Sequence, residues 1–230
     1  TLKNKDLSLT LNTKGGMVTK AVINNFEDRN DNKDVTLFDG KTQSLNFALA
    51  AKSVNINTAD LYFTPSERTD STVTMTAEAG KGKALIIRYR LGSDYMLHTQ
   101  LQAVGLGGDF APSATQMDVQ WKDLIRQQER GFTFENRYSS LTYHKADGGT
   151  DYLSEAKEVK DETIEKKIDW VAFKNQFFSA VMIAKNDFAD NAVMTSIPQE
   201  KGSGYLKQYE AKMKTFFDPT GATPSEFDFY

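Results

Sequence analysis

Two histidines and no cysteine set the limits of this chain's chemistry. His98 sits in the middle of an apolar-polar alternation, on its polar side, and His144 lies beside a turn. Neither has a second histidine or an acid at metal-ligand spacing. Without thiols a zinc site is not expected, and no other metal or cofactor is implied. No G-x-S-x-G elbow is present, so no catalytic residue is assigned. Lys81-Gly82-Lys83 and Gly105 to Gly108 read as hairpin turns. The first lacks the spacing of a phosphate loop, and the second follows a strand with no helix after it. Acidic residues are many but scattered, so sequence does not locate a glycosidase-type carboxylate pair. The run Arg137 to Lys145 does join aromatic faces to hydrogen-bond donors. Tyr138, Tyr143 and His144 are therefore the candidate cleft residues, set against a plain exposed strand with ordinary tyrosines.

These residues must be carried by strands. Leu7, Leu9 and Leu11 alternate with polar residues, and Lys14-Gly15-Gly16 turns the chain into Met17 to Ile23. Short strands are predicted at Val35 to Phe38, Leu45 to Ala51 and Leu61 to Phe63. Thr72, Thr74 and Thr76 alternate with Val73, Met75 and Ala77 in another. The clearest signal is a hairpin, Ala84 to Leu91 and Tyr95 to Leu106, joined by Gly92-Ser93-Asp94. In its second strand Tyr95, Leu97, Thr99 and Leu101 share one face. Met96, His98, Gln100 and Gln102 share the other, which turns to water or a groove. Met117, Val119, Trp121 and Leu124 continue the pattern, and Arg137 to His144 reads as a strand. Glu27 to Asp34 is a charged loop, and Glu155 to Asp169 a surface helix or solvated ribbon.

The stretch Ile168 to Ala184, I-D-W-V-A-F-K-N-Q-F-F-S-A-V-M-I-A, organises the rest. It reads as a strand, a short helical turn near Lys174 and Asn175, and a second strand apolar on both faces. Trp170, Phe177 and Phe178 are expected in the core. Val193 to Ile197, Tyr205 to Phe217 and Phe227 to Tyr230 complete the set. Turn signals at short spacing and the absence of long helical periods predict one all-β domain over 1–230, with at most short helices.

Composition agrees. A formal charge of −3 with no basic stripe gives no reason to expect nucleic acid. A mean hydropathy of −0.52 suits a soluble domain. No apolar run approaches the ~20 residues that span a bilayer. The chain starts at Thr1 and ends in the apolar F-D-F-Y, which suggests a segment of something longer.

The pattern W-V-A, three residues, then Q-F-F-S-A resembles the large periplasmic domain of the YidC membrane-protein insertases of Gram-negative bacteria. L-S-L-T-L-N-T-K-G-G-M-V, from Leu7 to Val18, is similar to that family's opening strand and Gly-Gly turn. The resemblance implies a twisted antiparallel β-super-sandwich, galactose-mutarotase-like, with an elongated cleft. It implies a place on the periplasmic face of the inner membrane, between transmembrane helices outside this sequence. It further implies a non-catalytic role in insertion and folding of inner-membrane proteins. Sec translocon accessory components and nascent inner-membrane proteins are the partners expected from it. No insertase residue carries over, because the family's insertion groove lies outside this domain. No mutarotase motif carries over either, since His98 and His144 sit in unmatched contexts. The alternative is a carbohydrate-binding or mutarotase-like carbohydrate-active sandwich.

Overall fold

The computed structural model describes residues 1–28, 33–153 and 159–230. Part of the Glu27 to Asp34 loop and the first residues of the Glu155 to Asp169 ribbon lie outside these. Among the described residues are nineteen strands, one α-helix, Phe132–Arg137, and one 3-10 turn, Thr58–Asp60. The first four strands, Leu2–Lys3, Leu7–Leu11, Val18–Glu27 and Asp34–Phe38, form a small antiparallel sheet. The other fifteen form one large sheet that curls over it, and every pairing in it is antiparallel.

Period-two patterning explains the curl. In Thr72–Gly80 the residues Val73, Met75 and Ala77 are buried while their threonine neighbours are half-buried. In Leu97–Val104 the same split buries Leu97, Thr99, Leu101 and Ala103 and leaves His98, Gln100 and Gln102 facing outward. A sheet with one apolar face must fold that face onto something, and here the small sheet supplies it. One contiguous core joins both sheets, from Leu2 and Leu9 to Phe227. Off its main path the large sheet has edges at Thr150–Tyr152 and Lys160–Ile164, and the path itself ends in the three-residue strands Asn55–Asn57 and Thr64–Ser66. The second of these carries Pro65, so neither offers a long template for pairing.

The organising stretch differs from its sequence reading. Ile168–Lys174 and Ser179–Phe188 are strands, but the link between them is a tight hairpin loop, not a helical turn. The Asn175 side chain accepts from the Phe177 and Phe178 amides at 2.9 and 2.7 Å, and the Asn175 amide donates to the Phe178 carbonyl. That geometry turns Phe177 out, leaving it 57% exposed, with Phe178 half-buried at the core's edge. Trp170 is also only half-buried. A bulge between Ile168 and Trp170 reverses the alternation, so Ile168, Val171 and Phe173 share the interior. The core ring is therefore Phe173, stacked on Trp121 at 3.9 Å between centroids and tilted against Tyr209 at 5.5 Å.

Three smaller differences share one cause, local geometry overriding spacing. Arg137 to His144 is the end of the helix followed by Ser140–Lys145. Of Leu61 to Phe63, only Tyr62 pairs, in an isolated bridge with Lys14; the strand begins at Thr64. In Gln116–Arg126 strict alternation continues past Trp121, so Asp123 and Ile125 face inward and Leu124 does not. The Gly-Gly turn is required where the sequence places it. Gly16 has φ +68°, and a Cβ there would sit 2.8 Å from the Phe63 ring.

Two measurements test this packing. Phe173→Ala should cost about 3–5 kcal/mol in urea melts, as a cavity against Trp121 demands, whereas Phe177→Ala should cost under ~1 kcal/mol. Asp123, 3% exposed with one carboxylate oxygen unpartnered among the described residues, has its pKa pushed up to about 7 by burial. Hydrogen bonds to the Leu124 amide and Thr42 and the charge of Arg126 only partly oppose that. The folded chain thus holds this proton to near neutrality, while the unfolded chain releases it near pH 4. Its contribution favours folding below pH 4 and is lost as pH rises towards 7. Asp123→Asn should therefore raise stability at pH 8 by about 2 kcal/mol, with a much smaller change at pH 4.

Candidate functional site

The three residues singled out in the sequence are not gathered into one site. Tyr143 and His144 are consecutive in Ser140–Lys145 and so face opposite sides of the sheet. Tyr143 is buried at 1% exposure, and its hydroxyl donates to Glu162 at 3.0 Å. Burial, aided by the Glu162 carboxylate, pushes its pKa above the usual tyrosine range. His144 is half-buried, with Nδ1 2.9 Å from Asp169 and its ring parallel to Trp170 at 5.8 Å. Tyr138 stands beyond the helix, half exposed, edge-on to the exposed Phe134.

Two other features stand out, and they lie on opposite faces of the same strands. The first is a cleft of about 430 Å³ between the small sheet and the large one. Its walls are apolar, from Leu9, Ala21 and Leu45 to Trp121, and its polar lining is limited to a few groups such as Gln43 and Thr99. Phe26, Phe177 and Tyr230 line it and are each at least half exposed. Phe26 meets Phe178 edge-on at 6.1 Å, and Tyr95 meets Tyr230 in the same way. This aromatic rim exists because the Asn175 loop turns Phe177 outward and because the last strand, Ser225–Phe229, delivers Tyr230 beside Val181.

The second is a polar groove of about 540 Å³ on the outward face of Thr72–Gly80, Lys83–Leu91, Leu97–Val104 and Ser225–Phe229. Its centre is Asp228, 6% exposed, which takes the His98 Nδ1 and the Lys185 ammonium at 2.6 Å each. Burial works to raise the Asp228 pKa. The Lys185 and His98 bonds outweigh it and hold the carboxyl below the usual range. With the carboxylate ionised, Nδ1 is the ring's donor, and Nε2 is left for other partners. The sequence placed His98 on an outward polar face correctly. It did not supply Asp228, a partner 130 residues away, and no local spacing signals such a pair. Neither acid stands at metal-ligand spacing in the sequence, yet the fold gives each histidine an aspartate. Among the described residues no group of three or more acids and histidines is placed to hold a metal.

The family model described as the YidC periplasmic domain matches residues 1–230. The membrane protein insertase YidC of Phocaeicola vulgatus is 46% identical over the whole chain, and that of Bacteroides fragilis 39%. The chain spans 37% of the length of each of these relatives. Among solved structures, a galactose mutarotase related enzyme from Lactobacillus acidophilus superposes with a TM-score of 0.57, covering 99% of this chain and 95% of that one. A putative aldose 1-epimerase from Escherichia coli K12 gives 0.55, covering 99% and 96%. Both are 9% identical to this chain, so they bear on the fold, which is the mutarotase-like β-sandwich, and not on activity. By the match over its full length and by these relatives, the chain belongs to the YidC periplasmic domain family.

Proposed function

We propose that this domain is a non-catalytic periplasmic docking module of a membrane protein insertase, and that its apolar cleft receives extended apolar segments of nascent inner-membrane proteins. The observation that carries the reading is the cleft with its rim of Phe26, Phe177 and Tyr230. Large aromatic side chains left in water around an apolar cavity mark a surface that is covered in use. The strands that end the main path of the large sheet are three residues long, one of them bearing Pro65, which favours capture by the cleft over strand addition there. Relatives that carry the matching domain are named membrane protein insertases, which supplies the client class. Accessory components of the Sec translocon are the further partners expected. The domain acts on its clients by contact. Insertion itself requires shielding of backbone polar groups within the bilayer, and no helix among the described residues is long and apolar enough to cross one.

The test uses the full-length protein in its native membrane, with a photo-crosslinking amino acid at Phe177 or, as a control, at Tyr62, which is exposed but outside the cleft. Crosslinks to a translating client should arise from position 177 and be several-fold weaker from 62. Phe26→Ala should reduce the signal at 177. Equal crosslinking from both positions would overturn the reading. Polarimetry on α-D-glucose should show interconversion at the background rate with the chain present. A faster rate that disappears in His98→Ala would establish catalysis instead.

A further inference from the structure

We propose that the outer face of the Phe132–Arg137 helix is a membrane-surface anchor. It sets the Phe134 and Tyr138 rings into the headgroup layer of a bilayer and the Arg130 and Arg137 guanidiniums against anionic lipids. The patch lies outside both the apolar cleft and the polar groove, so the proposal does not rest on the docking function.

The sequence builds this face by turning the helix's one acid inward. Glu135 is fully buried, and its carboxylate accepts from the Gln128 amide at 3.0 Å and the Glu129 amide at 2.9 Å. The Gln128 side chain donates to the Thr36 carbonyl of the small sheet at 2.9 Å. Past the helix, the buried Lys207 ammonium donates to the Ser139 carbonyl at 2.6 Å. Both ends are thus fastened to the body of the domain. With Glu135 facing the core, Phe134, Arg137 and Tyr138 share the outer face at i, i+3 and i+4. Phe134 is 56% exposed and Tyr138 47%, and their rings meet edge-on at 5.1 Å. Single exposed rings are ordinary, and among the described residues Tyr62 and Tyr152 have no ring against them. Two large rings packed on each other in water, on a rigid helix, form a patch.

Charge selects the partner. From residue 130 to residue 138 the charged side chains are Arg130, Glu135 and Arg137. Because Glu135 is buried, this segment presents only positive charge, on a chain whose formal charge is −3. Both arginines are exposed, and among the described residues neither has a salt bridge or a side-chain hydrogen bond. Aromatic rings beside unpaired guanidiniums match a bilayer surface, where rings settle at headgroup depth and arginines pair with lipid phosphates. A stable protein interface needs roughly 800 Å² from each partner, more than two rings and two guanidiniums offer. The family supplies the setting, since relatives with the matching domain are named membrane protein insertases. The patch also lies at the cleft's end of the domain. Ser140, two residues past Tyr138, pairs with Lys174 at the foot of the loop that bears Phe177. An anchor there holds the mouth of the cleft towards the bilayer.

The experiment is flotation of this chain with lipid vesicles of phosphatidylcholine alone or with about 30 mol% phosphatidylglycerol. The chain should float with the anionic vesicles and several-fold less with the neutral ones. About 0.5 M sodium chloride should weaken the binding. Phe134→Ser with Tyr138→Ser, and separately Arg130→Gln with Arg137→Gln, should each lower the bound fraction roughly fivefold or more. Both pairs replace exposed side chains, so the unfolding midpoint should hold. Phe177→Ala, at the cleft rim, should leave flotation unchanged. Absence of flotation at up to ~5 mM anionic lipid overturns the proposal. Flotation that survives both double variants also overturns it, as does flotation lost only in Phe177→Ala, which would place lipid in the cleft. Self-association in sedimentation that disappears in Phe134→Ser, with no flotation, would assign the patch to a second copy of the chain and likewise overturn it.

Discussion

The stack of Phe173 on Trp121, closed by Tyr209, ties three distant parts of the chain into one interior. Trp121 belongs to Gln116–Arg126, Phe173 to Ile168–Lys174 and Tyr209 to Tyr205–Phe216. The first and third of these strands are hydrogen-bonded neighbours, but the second is reached only round the curl of the sheet. A ring-on-ring contact of this kind adds about 0.5–1.5 kcal/mol beyond its buried area. Its larger effect is geometric. It fixes how far the sheet folds onto itself, and so the width of the space left for the small sheet and the cleft that Trp121 lines.

That cleft is open because its two walls do not match in size. The small sheet has four strands, two of them only two and five residues long at its outer edge. It covers part of the large sheet's apolar face and stops. The loop bearing Phe177 and the last strand bearing Tyr230 meet at the uncovered remainder, and their aromatic rings partly screen it. Close-packed interiors tolerate few voids. A gap of this size at the seam of two sheets is thus a property of the architecture, and no single side chain accounts for it.

Most of the strands were legible in the sequence, because a half-buried sheet writes itself as alternation. The threonine face of Thr72–Gly80 and the His98 face of Leu97–Val104 emerged as read. The misreadings fall where a single residue changes the parity. The bulge at Asp169 moved Trp170 outward and Phe173 inward, and the Asn175 loop put Phe177 in solvent. Hydrophobicity alone ranks all three rings as core, and only backbone register separates them. Asp123 is the converse case, a charged residue held inward because its strand keeps strict alternation. The polar groove was half legible. His98 was placed on it, but Asp228 comes from the far end of the chain, in a segment, F-D-F-Y, read only as an apolar strand.

The two sites share their walls, and this limits how each can change. Tyr89, Thr99 and Phe227 are buried on the core side, while Arg88, Arg90, His98 and Asp228 present their side chains to the groove, residue by residue along the same three strands. A substitution at Arg90 or His98 on the groove face leaves the core-facing side chains in place, whereas Tyr89 and Thr99 line both sites. A register slip of one residue exchanges the two faces, driving Asp228 into the core and Phe227 into water. The bonds from Gln100 to Glu226 and from His98 to Asp228 both cross the Leu97–Val104 and Ser225–Phe229 pair, and they are satisfied only in the observed register. The polar network therefore specifies the strand pairing that also shapes the apolar cleft.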